Sequence, residues 1–296
     1  ELIRQLPEVP AENILIEPVG RNTAACIGLA AIHVQKKVKD DVMVVLPSDH
    51  GIGDPVQYRK VIAAAALAAE KDNALVTIGI NPTSPQTGFG YMEGGESVGR
   101  VADEMLLRVK SFREKPNLKQ AQAFIQDGNF FWNSGMFVWK TSTILNEIER
   151  FLPDLHAGLM TIKASLGKAS ETKTVSAIYK RLASISIDYG VMEKAKDVYI
   201  IPASFGWSDV GSWDALWELS AKDGNGNASA SGSQAIFEGT ENALVYSPKK
   251  LVALVGMKDV IVVETKDALL ICKKGRSQDV KKIVDALEAH GQTHLL

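Results

Sequence analysis

The chain has 296 residues, which corresponds to one large domain or two unequal ones. Hydrophobic residues make up 46% and charged residues 23%, so the chain can build a core without disulfides or a structural metal. The net charge of −2 argues against a broadly basic protein that binds nucleic acid or a membrane surface. No apolar run approaches the ~20 residues of a membrane helix, and no signal peptide is visible. We therefore expect a cytoplasmic protein in which Cys26 and Cys272 are reduced core thiols.

The first two hundred residues alternate strand-like and helix-like patterns. The periodicity predicts strands at 13–17, 42–46, 75–80, 105–113, 136–139 and 198–201, and helices at 24–37, 54–71, 118–126, 141–166, 172–183 and 212–221. The continuous apolar run at 42–46 is typical of a strand buried on both faces. The order βαβαβ favours an α/β domain with a mostly parallel sheet and helices on both sides. Residues 81–100 are rich in Gly, Pro, Thr and Ser and predict a long loop or hairpin, which is usually functional at this length.

The composition changes at 223–233, which contains several Gly, Ser and Asn residues. We place a domain boundary there, between a first domain at 1–222 and a second at 233–296. Beyond it, short β segments follow one another without helices, at 234–237, 243–246, 252–255, 260–263 and 269–272. This spacing predicts a small sandwich, barrel or β-helix, closed by a helix at 278–289.

Carboxylates follow two of the apolar strands. Asp49 lies directly beyond the strand 42–46, beside His50, and Asp209 lies in an aromatic and glycine-rich segment beyond 198–201. Ligands of open α/β sheets bind beyond the carboxyl ends of the strands, and hard cations prefer oxygen ligands. The two aspartates together would make a magnesium site able to bridge phosphates. Taken alone, each segment is equally well explained as a turn or a helix cap.

Three further segments carry groups suited to a hydroxyl-rich, phosphorylated ligand. Glu114 and Lys115 end a strand, where a carboxylate would accept sugar hydroxyls and an ammonium would meet a phosphate. Asn133 offers both donors and an acceptor, and Gly90 allows close backbone approach. The structural alternatives are an exposed ion pair, a turn asparagine and a plain hairpin loop.

A fourth segment, 17–24, forms a strand-to-helix turn that contains Arg21 and a capping residue, Asn22 or Thr23. Helix N-termini attract anions, so this turn is a candidate phosphate or nucleotide contact. The alternative is capping without any ligand.

In their order along the chain, six motifs resemble the mannose-1-phosphate guanylyltransferases of the sugar-nucleotidyltransferase family. The resemblance extends from Glu17 to about Leu287, and the ordered set is far more specific than any one motif. The motifs are Glu-Pro-Val-Gly-Arg-Asn-Thr-Ala at 17–24, Leu-Pro-Ser-Asp-His at 46–50, Gly-Tyr at 90–91, Glu-Lys-Pro at 114–116, Trp-Asn-Ser-Gly-Met-Phe at 132–137 and Gly-Trp-Ser-Asp-Val-Gly-Ser-Trp at 206–213.

The resemblance implies a Rossmann-like nucleotidyltransferase domain with a mixed, mostly parallel sheet, followed by a small left-handed β-helix. It implies the transfer of GMP from GTP to mannose 1-phosphate, giving GDP-mannose and pyrophosphate with Mg²⁺, in a homodimer that binds neither nucleic acid nor membrane. The implied site residues are Lys115, Asp49 and Asp209 for catalysis, with the two aspartates holding the metal; Gly90, Tyr91, Glu114 and Asn133 for the sugar; and Glu17, Arg21, Asn22, Thr23 and Ser48 for the nucleotide.

One departure from the family concerns the start of the chain. The family begins with a strand and a glycine-rich phosphate loop, whereas this chain begins at Glu1 without them. We expect a truncated or processed start, and a severe loss of activity if the protein lacks the loop. Three alternatives stay open: a pyrophosphorylase for another sugar 1-phosphate or nucleotide, a metal-dependent glycosyltransferase, and a non-catalytic paralogue that binds GDP-mannose.

Overall fold

The computed structural model describes residues 2–230 and 232–292. They form two compact units. The first contains the residues up to Ser48 together with Asp54–Phe205. The second contains Asp49–Gly53 and the described residues from Gly206 onward.

Helices and strands alternate in the first unit, and short strands dominate the second. The α-helices are α1 (Leu2–Gln5), α2 (Asn22–Lys37), α3 (Pro55–Asp72), α4 (Leu118–Asp127), α5 (Thr141–Phe151), α6 (Pro153–Ser165), α7 (Glu171–Tyr179), α8 (Trp213–Leu219) and α9 (Val280–Ala289). The strands are β1 (Val42–Val45), β2 (Gly51–Ile52), β3 (Leu75–Ile80), β4 (Gly90–Val101), β5 (Glu104–Glu114), β6 (Phe130–Lys140), β7 (Val198–Ala203), β8 (Trp207–Ser208), β9 (Ala228–Ser229), β10 (Ala235–Glu238), β11 (Leu244–Tyr246), β12 (Val252–Val255), β13 (Val260–Glu264) and β14 (Leu269–Lys273).

The first unit is built on a six-stranded sheet with the order β1-β6-β3-β7-β5-β4. Strands β1, β3 and β7 share one direction, but β6 lies between β1 and β3 and is antiparallel to both. Strand β5 is antiparallel to its neighbours β7 and β4, which leaves β3 with β7 as the one parallel pair among the described strands of this sheet. The predicted mixed α/β sheet is confirmed. The expectation that it is mostly parallel is wrong, because periodicity along a strand does not specify the direction of its neighbours.

Strand β1 lies at an edge of this sheet and is only partly buried, with Val44 38% exposed. The predicted burial of 42–46 on both faces is therefore wrong. The predicted strand at 13–17 is also wrong, because a 3₁₀ turn at Ala11–Asn13 precedes irregular backbone in which Ile16 is 81% exposed. Among the described strands, β1 pairs with β6 alone, and none pairs with 13–17.

The main core of the first unit lies where α2, α5 and α6 pack against the sheet. Trp139 of β6 and Leu159 of α6 are both completely buried in it. Gly28 lets α2 and α6 approach closely, because a Cβ at this position would lie 2.5 Å from Cδ1 of Leu159. Helix α3 packs against β1, β3 and β6. It is capped by Asp54, whose carboxylate accepts two backbone N–H groups at 3.0 Å.

Both cysteines are free thiols, as predicted, but they do not both occupy the predicted core positions. Cys26 is exposed, because α2 turns it away from the buried Ala24, Ala25 and Ile27. Cys272 is partly buried on β14. The prediction of a core position is therefore wrong for Cys26.

The second unit contains a stack of parallel β coils. Strand β11 pairs in parallel with both β9 and β13, so that Ala228, Leu244 and Ile261 lie side by side in successive coils, and β10 pairs in parallel with β12. Strand β14 is antiparallel to β13 and ends the stack. Of the three predicted architectures, the β-helix is confirmed, and its left-handedness stays a prediction. Each predicted β segment corresponds to one of the strands β10 to β14, with ends that differ by one residue at most.

The compact units do not coincide with the predicted domains, and the predicted domain boundary at 223–233 stays a prediction. Helix α8 and the segment that precedes it from Gly206 belong to the second unit, whereas the sequence placed them in a first domain at 1–222. Trp213 and Trp217 of α8 pack against the core that contains Leu244 and Ile261.

The packing of α6 generates a stability prediction. Leu159→Ala should lower the free energy of unfolding by about 2–5 kcal/mol, because it leaves a cavity between α2 and α6. Leu67→Ala on α3, where the side chain is 52% exposed, is the matched control and should cost less than about 1 kcal/mol. Urea denaturation of both variants measures the difference, and equal losses would contradict this account of the core.

Candidate active site

Three strands bring the predicted sugar-binding residues together. Gly90, the first residue of β4, pairs with Glu114, the last residue of β5, while β6 runs on the other side of β4. A Cβ at Gly90 would lie 2.6 Å from Oε2 of Glu114 and 3.5 Å from Cβ of Asn133. The absence of a side chain at Gly90 therefore leaves room for Glu114 and Asn133 to approach each other. The candidate group of Gly90, Glu114, Lys115 and Asn133 is called the sugar-side cluster below.

Lys115 follows directly after β5 and has a left-handed backbone, with φ of 45°. Its N–H donates to the carbonyl of Phe89 at 3.2 Å, and its Nζ lies 4.0 Å from Oε1 of Glu114. Both side chains are exposed, and an exposed ion pair contributes little to stability. A ligand that binds Lys115 or Glu114 and breaks this ion pair therefore costs the protein little stability.

Tyr91, also predicted to bind the sugar, has a different environment. Its side chain is completely buried, and its hydroxyl donates to the carbonyl of Gln86 at 2.9 Å. The burial raises the pKa of this hydroxyl. The ring therefore packs under the loop that precedes β4, and a contact of Tyr91 with the sugar stays a prediction.

Sequence reasoning missed Asp188. Nδ2 of Asn133 donates to Oδ1 of Asp188 at 2.8 Å, which adds a second carboxylate to the sugar-side cluster. Burial raises the pKa of Asp188. Burial also raises the pKa of Glu114, where Lys115 opposes the shift and Asp188 adds to it. Asp188 neither follows a predicted strand nor belongs to one of the six motifs, so neither signal could find it.

The residues predicted to bind the nucleotide form a turn whose polar groups meet the backbone of a distant segment. Nε of Arg21 donates to the carbonyl of Tyr179 at 2.7 Å, and its NH2 donates to that of Lys180 at 2.9 Å. Oγ1 of Thr23 accepts the N–H of Ile187 at 2.8 Å. These bonds tie the turn to 179–187.

Two exposed residues complete the predicted nucleotide set. Oδ1 of Asn22 accepts the N–H of Thr23 at 2.8 Å, and Asn22 has a left-handed backbone with φ of 63°. Ser48 lies beyond the end of β1 and is exposed.

Glu17 lies beside the thiol of Cys26 and the hydroxyl of Tyr179. Its Oε1 is buried and accepts no hydrogen bond from the described residues. Burial, and then the Glu17 carboxylate, raise the pKa values of both Cys26 and Tyr179. Glu17 thus has an oxygen that a donor from outside the described residues can satisfy.

The two predicted metal ligands, Asp49 and Asp209, both belong to the second unit. Strands β2 and β8 pair antiparallel, with Gly51 opposite Ser208, which brings the preceding Asp49 and the following Asp209 to the same end of this short ladder. Both carboxylates favour the charged form of His50 and so oppose the lowering of its pKa. Nε2 of His50 lies 3.9 Å from Oδ1 of Asp49.

His50, next to Asp49 in the chain, is held by a hydrogen bond from Trp207. Nε1 of Trp207 donates to its Nδ1 at 3.0 Å, so Nδ1 is an acceptor. Burial lowers the pKa of His50 and outweighs the opposite effect of Asp49 and Asp209. His50 therefore does not offset the negative charge of the two aspartates at neutral pH.

Asp49 and Asp209 offer carboxylate oxygens, the ligand type that hard divalent cations prefer. The described residues contain no group of three or more His, Cys, Asp or Glu side chains placed to hold a metal by themselves. Mg²⁺ is usually held by one or two carboxylates, with phosphate oxygens and water completing the coordination. Oδ1 of Asp209 accepts the N–H of Gly211 at 3.0 Å, which orients this carboxylate.

A family model described as "Nucleotidyl transferase" matches residues 1–226, and a second, described as "MannoseP isomerase/GMP-like beta-helix domain", matches residues 234–287. The chain belongs to the nucleotidyl transferase family. Nucleotidyl transferases generally use a divalent metal, and binding of such a metal by Asp49 and Asp209 stays a prediction. No helix in the described part of this family member is long and apolar enough to cross a membrane.

The sequence is similar to several curated relatives over most of its length. It is 40% identical over 295 residues to the mannose-1-phosphate guanylyltransferase of Escherichia coli K12, covering 99% of this chain and 61% of the relative. It is 38% identical to the alginate biosynthesis protein AlgA of Pseudomonas aeruginosa PAO1, covering 96% and 58%. The crystal structure of mannose-1-phosphate geranyltransferase from Thermus thermophilus matches with a TM-score of 0.80 at 32% identity, covering 93% and 77%.

These matches confirm the resemblance that the motifs predicted. The chain spans only about 60% of the length of the curated relatives it matches.

The raised pKa of Asp188 predicts a pH-dependent effect on stability. The folded protein holds this proton more tightly than the unfolded chain, so stability decreases as the pH rises from the ordinary Asp range of about 4 through the folded-state pKa. Asp188→Asn removes the titratable group and with it this dependence of stability on pH. The melting temperature of Asp188→Asn minus that of the original protein should therefore increase as the pH rises from about 4 to 7. The exposed Asp72→Asn should show no such trend. A flat difference for Asp188→Asn would contradict the assignment.

Proposed function

We propose that the protein transfers GMP from GTP to mannose 1-phosphate, forming GDP-mannose and releasing pyrophosphate. The observation that carries this proposal is the sugar-side cluster, in which two carboxylates, an amide and one ammonium meet at the ends of β4 and β5. Carboxylates and amides recognise hydroxyl groups, and the Lys115 ammonium suits a phosphate. The relatives named mannose-1-phosphate guanylyltransferase support the choice of sugar and nucleotide.

The proposed reaction needs no general base. A phosphate oxygen of mannose 1-phosphate attacks the α-phosphorus of GTP, and the bond to the bridging oxygen breaks as pyrophosphate leaves. The nucleophile is already an anion, so catalysis consists of positioning and charge neutralisation. In this proposal Lys115 binds the sugar phosphate and reduces its repulsion from GTP, while Glu114, Asn133 and the Gly90 backbone orient the hexose.

Asp49 and Asp209 would hold Mg²⁺ in this proposal. The ion supplies positive charge to the phosphate oxygens when bound. The fixed carboxylate of Asp209 and the neutral state of His50 leave the site negatively charged and ready for a cation. The buried Oε1 of Glu17 supports a contact with a donor of the guanosine, and the roles of Arg21, Asn22, Thr23 and Ser48 stay predictions, as do a homodimer and a cytoplasmic location.

Asp209→Asn tests the metal role. Loss of one anionic ligand should reduce turnover by about 100-fold and shift the Mg²⁺ dependence to higher concentrations. Pyrophosphate release by the full-length protein, with GTP and mannose 1-phosphate saturating, measures this effect. Asp285→Asn on the exposed face of α9 is the matched control. Turnover of Asp209→Asn within threefold of the original protein would exclude the role.

Glu114→Gln tests the sugar role. The amide replaces one carboxylate oxygen with a donor, so the KM for mannose 1-phosphate should rise about tenfold while the KM for GTP stays nearly constant. Glu70→Gln, on the exposed end of α3, is the control. A matrix of nucleotides against sugar 1-phosphates, run with the original protein, distinguishes this activity from other pyrophosphorylases. Binding of GDP-mannose without any pyrophosphate release would identify a non-catalytic paralogue.

A further inference from the structure

Asp188 occupies an unusual piece of backbone. It begins a single π-helical turn, Asp188–Met192, in which Gly190, Val191 and Met192 are buried. Such turns are rare and occur frequently at functional sites. Burial of the following residues fixes the backbone, so that the partly buried Asp188 carboxylate faces Asn133 from a rigid support.

The Asn133 amide is held at both ends. Its Oδ1 accepts the N–H of Gly135 at 3.1 Å, and its Nδ2 donates to Asp188 at 2.8 Å. The first partner is a donor and the second an acceptor, so the amide cannot flip without losing both bonds. One N–H of the Asn133 amide and one lone pair of its oxygen are left to bind a ligand, and each points in a fixed direction.

The segment that carries Asp188 is itself fastened to the turn at the start of α2. Oγ1 of Thr23 accepts the N–H of Ile187 at 2.8 Å, and the N–H of Ala24 donates to the carbonyl of Ile185 at 3.2 Å. Arg21 adds its two bonds to the carbonyls at the end of α7. A chain of hydrogen bonds thus runs from Thr23 through the backbone of Ile187 to Asp188 and Asn133.

We propose that Asp188 is a positioning residue for the hexose: it fixes the Asn133 amide in one orientation, and Thr23 holds Asp188 in place. This inference rests on the proposed function. A fixed donor and a fixed acceptor favour one arrangement of adjacent hydroxyls, so Asp188 should also influence the choice between sugar 1-phosphates that differ in the configuration of one hydroxyl.

The test compares two substitutions of Asp188. Asp188→Asn keeps an oxygen acceptor for Asn133, whereas Asp188→Leu has a similar size and no acceptor. For Asp188→Leu we expect the KM for mannose 1-phosphate to rise about tenfold and the KM for GTP to change less than twofold. Its preference in kcat/KM for mannose 1-phosphate over glucose 1-phosphate should fall about tenfold. Asp188→Asn should stay within about threefold of the original protein in each value. Asp72→Asn and Asp72→Leu are the matched controls.

A second pair of variants keeps the inference testable if Asp188→Leu does not fold. Thr23→Val removes the acceptor for the Ile187 N–H without changing the side-chain shape, and Thr23→Ser restores it. Thr23→Val should raise the KM for mannose 1-phosphate in the same direction as Asp188→Leu, and Thr23→Ser should reverse this effect. Equal impairment of Asp188→Leu and Asp188→Asn, or an equal rise in both KM values, would overturn the positioning role.

Calorimetric titration with mannose 1-phosphate separates this inference from the proposed function. If the original full-length protein binds mannose 1-phosphate but releases no pyrophosphate from GTP, the proposed reaction fails. The positioning role would still hold if Asp188→Leu weakens that binding about tenfold and Asp188→Asn does not. If pyrophosphate is released and both Asp188→Leu and Asp188→Asn leave binding and sugar preference unchanged, the positioning role is contradicted and the proposed function stands.

Discussion

Pairing of β6 with three other strands is the constraint on which the first unit depends. Its final residues pair with β1, its middle with β3, and its first residues with β4. The pairing with β3 shifts register between Thr77 and Gly79, next to the position where Gly79 meets Asn133. A Cβ at Gly79 would lie 2.5 Å from Cγ2 of Ile200 and 2.8 Å from Cβ of Phe131, so the close approach of the strands requires glycine there. Asn133 therefore lies where the ladder is irregular, and its amide is available to Asp188.

The same strand explains which parts of the fold were predictable. Strands β10 to β14 were found almost to the residue, because each is short, apolar and bounded by turn residues, whereas the two-residue strand β9 was not predicted. Strand β6 was predicted only at 136–139, because the polar residues 133–135 resemble a turn. They are instead part of one strand in which Ser134 donates its hydroxyl to the carbonyl of Ile78 at 2.7 Å. That bond satisfies a polar group inside the sheet and is not visible in the sequence.

The candidate site was predictable to the extent that its residues follow apolar strands. Glu114, Asp49 and Asp209 were located by this rule, whereas Asn133 precedes the predicted strand 136–139. The two aspartates do lie at one end of the β2–β8 ladder. Asp188 was not located in this way. It lies in a π-helical turn whose position depends on hydrogen bonds that the preceding residues Ile185 and Ile187 make with Ala24 and Thr23, far away in the chain. Arg21 and Thr23 matched a nucleotide-binding motif, yet the bonds described above go to the backbone. Sequence resemblance identifies such residues without separating binding from support.

The charges of the sugar-side cluster favour one orientation of the ligand. Glu114 and Asp188 both repel an anion, and Glu114 attracts hydroxyl hydrogens. Burial raises the pKa of both carboxylates. Lys115 is the neighbouring cation, 4.0 Å from Glu114, and its exposed ammonium can move toward a phosphate without leaving a buried charge unpaired. A sugar 1-phosphate bound in the reverse orientation would bring its phosphate against two carboxylates. In the proposed reaction, the cluster would therefore favour the orientation with the hydroxyls at Glu114 and Asn133 and the phosphate at Lys115, which would present the phosphate as the nucleophile.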